Sequence, residues 1–205
     1  MKLFGFWDKM VENHFEKQYG IFDIDNNNYS QIKIGNKIWM ADNLNVCRFR
    51  NGDLIKEAKS DQDWINSYYK MEPAWCYFEN DSTNRLYGKL YNVYAIKDSR
   101  GLAPKNYHIP SDNEWDEVIN HMGGSDKVFD DLRLLFKFNC HFGGSRGPDG
   151  SFKFIDYVGA FWTSSKVLNS DELQWIKVFH LPLKIVKRSD KSKMAGAYVK
   201  CVKDY

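Results

Sequence analysis

The sequence predicts an α+β fold, and three observations support that class. Residues 88–98 and 111–122 carry apolar side chains at helical spacing, which predicts two amphipathic helices. Five short segments after residue 150 are rich in β-branched and aromatic residues, which predicts strands. Aromatic residues make up 16% of the chain, as suits a fold in which large rings fix many short strands and loops. Helices followed by a run of strands are typical of the α+β class.

The first part of the chain is predicted to be an N-terminal segment, residues 1–29, in front of a main domain at residues 30–205. An amphipathic pattern at residues 3–18 predicts a helix that ends at Gly20. The side chains at helical spacing are Leu3, Phe6, Trp7, Met10, His14 and Phe15. Two interpretations stay open. The helix docks on its own domain, which we favour because a free aromatic helix would be sticky, or residues 1–20 form a tail that binds a partner, a second copy or a membrane surface.

Short elements are predicted between residues 30 and 98. The dipeptide Gly35-Asn36 separates two strand-like segments, which predicts a β-hairpin. The patterns that follow predict a short helix at residues 61–69, a strand at 74–78 and a helix at 88–98. No internal repeat or low-complexity stretch interrupts this order, so the chain is interpreted as one main domain with an appendage.

The stretch from Tyr107 to Val118 contains a His, a Ser and several carboxylates, so an active site, a metal site and a helix start all have to be weighed. Ser111 and Glu114 have the S-x-x-E spacing of a capping box, in which each side chain bonds the backbone N–H of the other residue. Trp115 begins an apolar face at helical spacing, and a pair of glycines ends the helix. The polar cluster is therefore interpreted as a helix start, and His108 as a satisfied or exposed histidine rather than a ligand.

Composition and charge argue against several classes of protein. The net charge is +2 with no long run of Lys or Arg, so no nucleic-acid partner is expected. No apolar window is long enough to predict an integral membrane segment, and the N-terminus lacks the apolar core of a signal peptide, so a cytoplasmic location is expected. The cysteines are scattered without a C-x-x-C motif, which predicts free thiols. They are Cys47, Cys76, Cys140 and Cys201.

Several longer motifs of the chain resemble one known family. They occupy residues 32–45, 74–118, 144–152, 160–165 and 196–204. In this order, from about Gln31 to Asp204, they are similar to the Fibrobacter succinogenes major paralogous domain, which resembles in turn the formylglycine-generating sulfatase-modifying enzymes. The resemblance implies a C-type-lectin-like α+β fold, in which two main helices pack on small, twisted antiparallel sheets with much irregular loop.

The resemblance also implies a set of structural signature residues. They are Trp39, Tyr87, Gly88, Tyr91, Pro110, Ser111, Glu114, Trp115, Trp162 and Cys201. We expect the three tryptophans of this set and Cys201 to lie in one core.

An enzyme is the first functional class to weigh. The related formylglycine-generating enzymes resemble copper-dependent oxidases with two neighbouring cysteines, since Cu(I) prefers paired thiolates. Here the nearest cysteine before Cys201 is Cys140, so the pair is missing and this alternative is disfavoured. His141 and Ser145 have no aspartate placed to complete a triad. No catalytic residue and no cofactor is therefore predicted.

Calcium-dependent carbohydrate binding is the second class. The chain lacks the E-P-N and W-N-D tripeptides of calcium lectins, although Ca²⁺ requires about six to eight oxygen ligands. Asp23 and Asp25 begin a segment like a calcium loop, and Glu79 and Asp81 lie in a second polar cluster. Both segments fit ordinary polar turns better, so these four are weak metal candidates and no metal site is predicted. We expect instead a non-catalytic recognition module that binds a protein or a glycan through surface loops.

Overall fold

The fold is built mainly from strands, arranged in four sheets. The computed structural model describes residues 20–130, 135, 137–139 and 141–204. A two-stranded sheet pairs β1 (Ile21–Phe22) with β2 (Asn28–Tyr29), and a three-stranded sheet has the order β5 (Lys56–Glu57), β6 (Ala74–Cys76), β7 (Leu90–Tyr91). A four-stranded sheet has the order β3 (Gln31–Ile34), β4 (Lys37–Met40), β14 (Val202–Lys203), β8 (Tyr107–His108). A five-stranded sheet has the order β10 (Phe152–Ile155), β9 (Gly143–Arg146), β11 (Val158–Lys166), β12 (Leu173–His180), β13 (Ile185–Ser192).

Helices form a smaller part of the described chain. They are α1 (Asp61–Tyr69), α2 (Val93–Lys97), α3 (Asp112–His121) and two 3-10 helices at Phe78–Asn80 and Ser82–Tyr87. The prediction of an α+β, C-type-lectin-like fold is wrong, because the described residues form fourteen strands in four sheets and are mostly β. The sequence pattern overestimated the helices, since one of the two helices that defined the class shrinks to the five residues of α2.

The short elements before residue 98 follow the prediction in part. The hairpin is confirmed, with Ile32 opposite Trp39 and Ile34 opposite Lys37. The helix at residues 61–69 is confirmed as α1. The helix predicted at residues 88–98 is wrong in its first half, because Asn92 accepts a bond from the N–H of Ala95 and so begins the helix only after β7.

The predicted capping box at the start of α3 is confirmed. The Ser111 hydroxyl accepts from the Glu114 N–H at 3.3 Å, and the Glu114 carboxylate accepts from the Ser111 N–H at 2.9 Å. Burial opposes ionisation of Glu114, but the bonds that its carboxylate accepts from the Ser111 N–H, the Ser111 hydroxyl, His108 and Lys37, the last at 3.0 Å, lower its pKa to about 2. His108 is also satisfied, since Asp204 and Glu114 lie 2.6 Å and 3.1 Å from its two ring nitrogens.

The strands predicted after residue 150 are confirmed as β10 to β13, whereas only Val202–Lys203 of the last predicted strand form β14. The rest of that segment, from residue 196, is buried and pairs through single bridges with β7, β9 and β11. Val202 is therefore buried in the four-stranded sheet, paired to both Trp39 of β4 and His108 of β8.

The interior is divided into two hydrophobic clusters. Trp39 and Trp115 belong to the first, and Trp162 and Cys201 to the second. The expectation of one shared core is therefore wrong, although all four side chains are fully buried. The difference arises because successive residues of the C-terminal segment point to opposite sides, so that Tyr198 joins the first cluster and its neighbours join the second.

Buried charges at the strand ends are matched by polar partners. Arg146, which is 0% exposed, donates to Asp61 Oδ1 at 2.7 Å. Its guanidinium lies between the rings of Trp64 and Phe152, 4.8 Å and 4.5 Å from their centroids. Lys191 is different: its ammonium donates to a neutral partner, the Ser145 hydroxyl, at 2.8 Å. Its pKa is lowered to about 8 because burial disfavours the charged form and Lys153 repels it.

Three further expectations concern cysteines, membranes and the N-terminus. The prediction of free thiols is confirmed for Cys47, Cys76 and Cys201, and Cys140 lies outside the described residues. None of the helices in the described ranges combines the length and apolarity of a membrane crossing. The predicted helix at residues 3–18 lies outside the described part of the chain, while Ile21 and Tyr29 pack in the second cluster.

We predict that Trp115→Ala lowers the free energy of unfolding by about 3–5 kcal/mol, as for other large buried aromatic side chains. Trp115 lies 5.1 Å to 5.9 Å from the rings of Trp39, Phe138, Phe161 and Phe179, so its loss opens a cavity in the first cluster. Chemical denaturation measures the change, and Trp175→Ala on the half-buried face of β12 is the matched control. Equal effects of the two substitutions would contradict the packing described for α3.

We predict that Lys191→Met stabilises the protein at neutral pH. The folded-state pKa of about 8 lies below the ordinary value of 10.5, so the unfolded chain binds more protons between these two pH values. The stability of the native protein should therefore rise as the pH increases from about 8 to 10.5, and Met at position 191 should remove that rise. Thermal unfolding across this range tests it, with exposed Lys187→Met as control. A rise in stability that persists in Lys191→Met rules out this assignment.

Candidate functional site

A polar cleft lies where four distant parts of the chain meet. It has a volume of about 190 Å³ and is lined by residues of segments 27–29, 42–45 and 85–88 together with His141. Four of the lining side chains are asparagine amides, and one is the carboxylate of Asp42. Ligand pockets are usually more apolar than this cleft, and convergent polar groups such as these fix the orientation of a bound ligand.

Asn43 is the most buried amide of the cleft. It is 5% exposed, and its Nδ2 donates to the Tyr87 carbonyl oxygen at 2.8 Å, which fixes the orientation of the amide. Its Oδ1 is buried and accepts no hydrogen bond from the described residues. A buried acceptor without a donor is unfavourable by about 1–3 kcal/mol, so a hydrogen bond from a bound donor to this atom would be stabilising.

Gly88 allows this wall of the cleft to pack closely. Its φ is +81°, and a Cβ at this position would lie 2.8 Å from the Asn43 Cβ and 3.1 Å from the Leu44 carbonyl oxygen. Only glycine satisfies both the positive φ and the close approach. The geometry of Asn43 therefore depends on the residue that follows the 3-10 helix at Ser82–Tyr87.

The buried Lys200 joins the two segments of the chain that contribute Asp42 and His141 to the cleft. The Lys200 ammonium donates to the carbonyl oxygens of Ala41, Phe138 and Asn139, which belong to the segments on both sides of the cleft. The next residue of the first segment, Asp42, accepts from the Asn139 side chain and from the Ser30 N–H at 2.6 Å. These bonds fix the Asp42 carboxylate in position at the cleft.

A second network holds the wall formed by Tyr29 and Asn45. The Tyr29 hydroxyl donates to Asp23 Oδ2 at 2.5 Å and accepts from the Asn45 N–H at 2.9 Å. Burial and Asp23 raise the pKa of Tyr29 far above its ordinary value, so the hydroxyl stays protonated. Lys89 donates to Asn45 Oδ1 at 2.9 Å, and its ammonium lies 4.5 Å from the centroid of the Trp75 ring. Asn45 is thus oriented by the backbone and by an ammonium.

His141 also lines the cleft, and it comes from a part of the chain far from the asparagines in sequence. Burial lowers the pKa of His141, and the positive charge of Lys200 lowers it further, while Asp42 acts in the opposite direction. The ring of Tyr87 meets His141 edge to face at 6.1 Å. A neutral imidazole has one donor and one acceptor nitrogen, so the site presents donors and acceptors without a strong positive charge at His141.

Two of the weak metal candidates support the walls of the cleft. Asp23 Oδ1 accepts from the N–H groups of Asp25 and Asn27, and its Oδ2 accepts from the side chains of Asn27 and Tyr29. Asp25 accepts from the Cys47 N–H at 2.6 Å and pairs with Arg48. The carboxylate oxygens of both residues are therefore used by the protein itself.

The other two candidates lie in the 3-10 segments. Asp81 accepts from the Thr83 N–H at 2.8 Å as a helix cap, and Glu79 is exposed with φ +56°. Within the described residues, no group of three or more His, Cys, Asp or Glu side chains is arranged to hold a metal ion. The four candidates form two separate turns rather than one site.

The signature residues divide between the cleft and the interior. Gly88 lines the cleft and Tyr87 lies behind it. Tyr91 donates to the Val46 carbonyl oxygen at 2.7 Å inside the second cluster, and the buried Pro110 accepts from the Ser164 N–H at 2.8 Å. The remaining six are the capping pair Ser111 and Glu114 and the buried Trp39, Trp115, Trp162 and Cys201.

Sequence analysis missed the cleft, although most of its segments are visible in the motifs. The amide-rich stretch of residues 42–45 and the run of asparagines at 26–28 were signals, but their meeting depends on long-range pairing. His141 was considered only as the partner of Ser145 in a possible catalytic triad, but the two side chains have different contacts in the structure. Ser145 bonds to Lys191, whereas His141 lines the cleft with Arg85 and Leu86.

We predict that His141 is neutral at pH 7, with a pKa below the ordinary 6.5. Because folding lowers the pKa of His141, the protein loses no stability at this residue above about pH 6.5, where the imidazole is neutral in both states. The free energy of unfolding should decrease as the pH falls from 6.5 through the folded-state pKa. NMR titration of the imidazole measures the pKa directly, and Asp42→Asn should lower it further by removing a negative charge. A pKa above 6.5 in the native protein would contradict the burial described here.

The comparisons with known proteins identify a family. No curated protein and no solved structure has significant similarity to the chain. The family model described as the Fibrobacter succinogenes major domain matches residues 32–203, which include three of the four parts that line the cleft. The suspected relationship is thereby confirmed over most of the chain, and the protein belongs to the Fibrobacter succinogenes major domain family.

Proposed function

We propose that the protein is a non-catalytic recognition module that binds a glycan in the polar cleft, without a metal ion. The observation that carries this proposal is the convergence of four asparagine amides, the Asp42 carboxylate and His141 on one cleft. Among these groups, the buried Asn43 Oδ1 accepts no bond from the described residues. A sugar hydroxyl supplies the missing donor. The same hydroxyl oxygen also accepts a bond from a neighbouring donor.

The chemistry of the lining groups favours a glycan over a protein ligand. Amides both donate and accept, and the Asp42 carboxylate and a neutral His141 add two acceptors and a donor. Sugar hydroxyls match such a mixed set, whereas a protein partner usually requires a broad surface with buried aromatic or apolar anchors. The small concave cleft therefore supports the glycan part of the expected protein-or-glycan function.

Metal-independent binding is supported by the role of Asp23 and Asp25. Their oxygens accept bonds from backbone N–H groups, Asn27, Tyr29 and Arg48, so a calcium ion would have to displace these donors. Calcium-dependent binding remains the alternative that the experiment below separates from this proposal.

The alternative of a copper-dependent oxidase is disfavoured on chemical grounds. Burial raises the pKa of Cys76 to about 11 and that of Cys201 still higher, whereas a copper ligand has to be a thiolate. The polar side chains that line the cleft are four amides, one carboxylate, one phenol, one imidazole and one guanidinium, with no thiol among the lining residues described. This set is suited to hydrogen bonding rather than to redox chemistry.

A glycan array with the purified protein tests the proposal. We predict binding to at least one class of glycan that persists in EDTA and falls about tenfold or more in Asn28→Ala and Arg85→Ala, since a lost hydrogen bond to a ligand contributes about 1.5 kcal/mol. Asn28 and Arg85 are exposed at the cleft, so these variants should keep the native Tm. Gln62→Ala on the exposed face of α1 is the matched control.

Three outcomes would count against the proposal. Absence of binding on a broad array excludes the glycan function, and loss of binding in EDTA supports the calcium-dependent alternative. Equal binding by Arg85→Ala and the control would place the ligand elsewhere on the protein.

A further inference from the structure

We propose that the ligand is a chain of sugars rather than a single sugar, and that an aromatic subsite at Phe154 and Tyr157 holds the rings next to the cleft. This inference rests on the proposed function and specifies its ligand class. Phe154 lies near the end of β10 and Tyr157 in the turn between β10 and β11, and we call residues 154–157 the 154–157 turn.

The size of the cleft is the first argument. Its volume of about 190 Å³ is below the range of about 300–1,000 Å³ that encloses drug-sized ligands. A cleft of this size receives one end or one ring of a ligand. Most of the surface of a longer glycan has to lie on the protein outside the cleft.

The 154–157 turn is bonded to the segment of the chain that contributes His141 to the cleft. The Asp156 N–H donates to the carbonyl oxygen of Phe142, the residue directly after His141, at 2.6 Å. On the same side, the hydroxyl of Tyr87 donates to Asp156 Oδ1 at 3.3 Å, and the Tyr87 ring contacts His141. The turn is therefore bonded, through its backbone and its Asp156 side chain, to Phe142 and Tyr87, which directly neighbour the lining residues His141 and Gly88 in the chain.

The turn presents two large aromatic side chains to solvent. Phe154 is 59% exposed and Tyr157 is 58% exposed. A sugar ring has hydroxyls on its rim and C–H groups on its faces, so an aromatic ring beside a polar cleft can cover the apolar face of the next sugar. Burial of that face removes apolar surface from water and stabilises the complex.

The backbone of the turn adds a second, independent observation. Phe154 has φ +67° and Asp156 has φ +64°, although neither is glycine. For a bulky aromatic residue this conformation is unfavourable, and glycine would adopt it without strain. A Phe that leaves more than half of its surface in solvent contributes only part of its ring to the fold, so binding offers a reason for its presence at this strained position.

The experiment uses the full chain and four series of soluble linear oligomers of glucose, mannose, galactose and N-acetylglucosamine, each from one to six rings. Titration calorimetry gives the Kd of each oligomer for the native protein and for Tyr157→Ala and Phe154→Gly. Leu168→Ala, which removes a side chain that is 85% exposed on another loop, is the matched control.

We expect the affinity to rise with oligomer length in at least one series. Tyr157→Ala and Phe154→Gly should weaken binding of the longest oligomers about tenfold, which corresponds to the loss of one aromatic contact, and leave the single sugar within about twofold. Phe154→Gly should not lower the Tm, because glycine relieves the positive φ. Its loss of affinity then reports the ring rather than the fold.

The outcomes separate this inference from the proposed function. If single sugars and six-ring oligomers bind equally in every series, the subsite is wrong while the cleft stands. The subsite is also wrong if Tyr157→Ala and Leu168→Ala bind the long oligomers equally well. If no oligomer of any series binds, the inference fails, and a negative array then removes the glycan function with it.

Discussion

The buried C-terminal segment, residues 196–202, is the element on which the rest of the structure depends. Every backbone group in such a segment needs a hydrogen-bonding partner, because water does not reach it. Gly196 pairs with Arg146, Ala197 with Tyr91, and Tyr198 with Ala160 and Trp162. Further along, the carbonyl oxygens of Val199 and Cys201 accept from the N–H groups of Leu44 and Met40. Met40 is the last residue of β4, and Leu44 follows shortly after it. One extended stretch thus connects the three larger sheets and separates the two hydrophobic clusters.

The cleft follows from the same constraint. Lys200 lies in this segment, and its ammonium donates to three carbonyl oxygens. The same ammonium lies 4.9 Å and 5.8 Å from the centroids of the Phe138 and Phe161 rings. Those carbonyls belong to residues next to Asp42 and His141, so the buried charge positions two groups that line the cleft. The Asn43 side chain donates to the Tyr87 carbonyl oxygen and packs closely against Gly88, at the end of the 3-10 helix Ser82–Tyr87 that precedes β7. A polar surface is therefore held by a rigid, buried framework, which is the arrangement that favours specific recognition.

Local elements were predictable from the sequence wherever short-range chemistry defines them. The Ser111–Glu114 box, the Gly35-Asn36 hairpin and α1 each follow from a few neighbouring residues. The balance between helix and sheet was not, because Leu90 and Tyr91 have the helical pattern but pair with β6 in the tertiary structure. Tertiary pairing overrides local preference in such short segments.

The cleft was not predictable for a related reason. Its residues come from segments more than 100 positions apart, and asparagines near turns are usually explained by turn chemistry. Only the folded arrangement reveals that Asn43 is buried with an acceptor left over. The same holds for Asp23, which resembled a calcium ligand in sequence and is a hydrogen-bond hub in the fold. The sequence shows that these side chains are polar, but only long-range packing determines whether each one lines the cleft or bonds to other parts of the protein.

The central claim is that Asn43 Oδ1 is an acceptor kept for a ligand. A crystal structure of the protein with a glycan that it binds tests this claim most directly. We predict a sugar hydroxyl within about 3.2 Å of Asn43 Oδ1, which is hydrogen-bonding distance, with the amide still donating to the Tyr87 carbonyl oxygen. A glycan bound elsewhere, or a protein donor on Asn43 Oδ1 in the complex, would contradict the account.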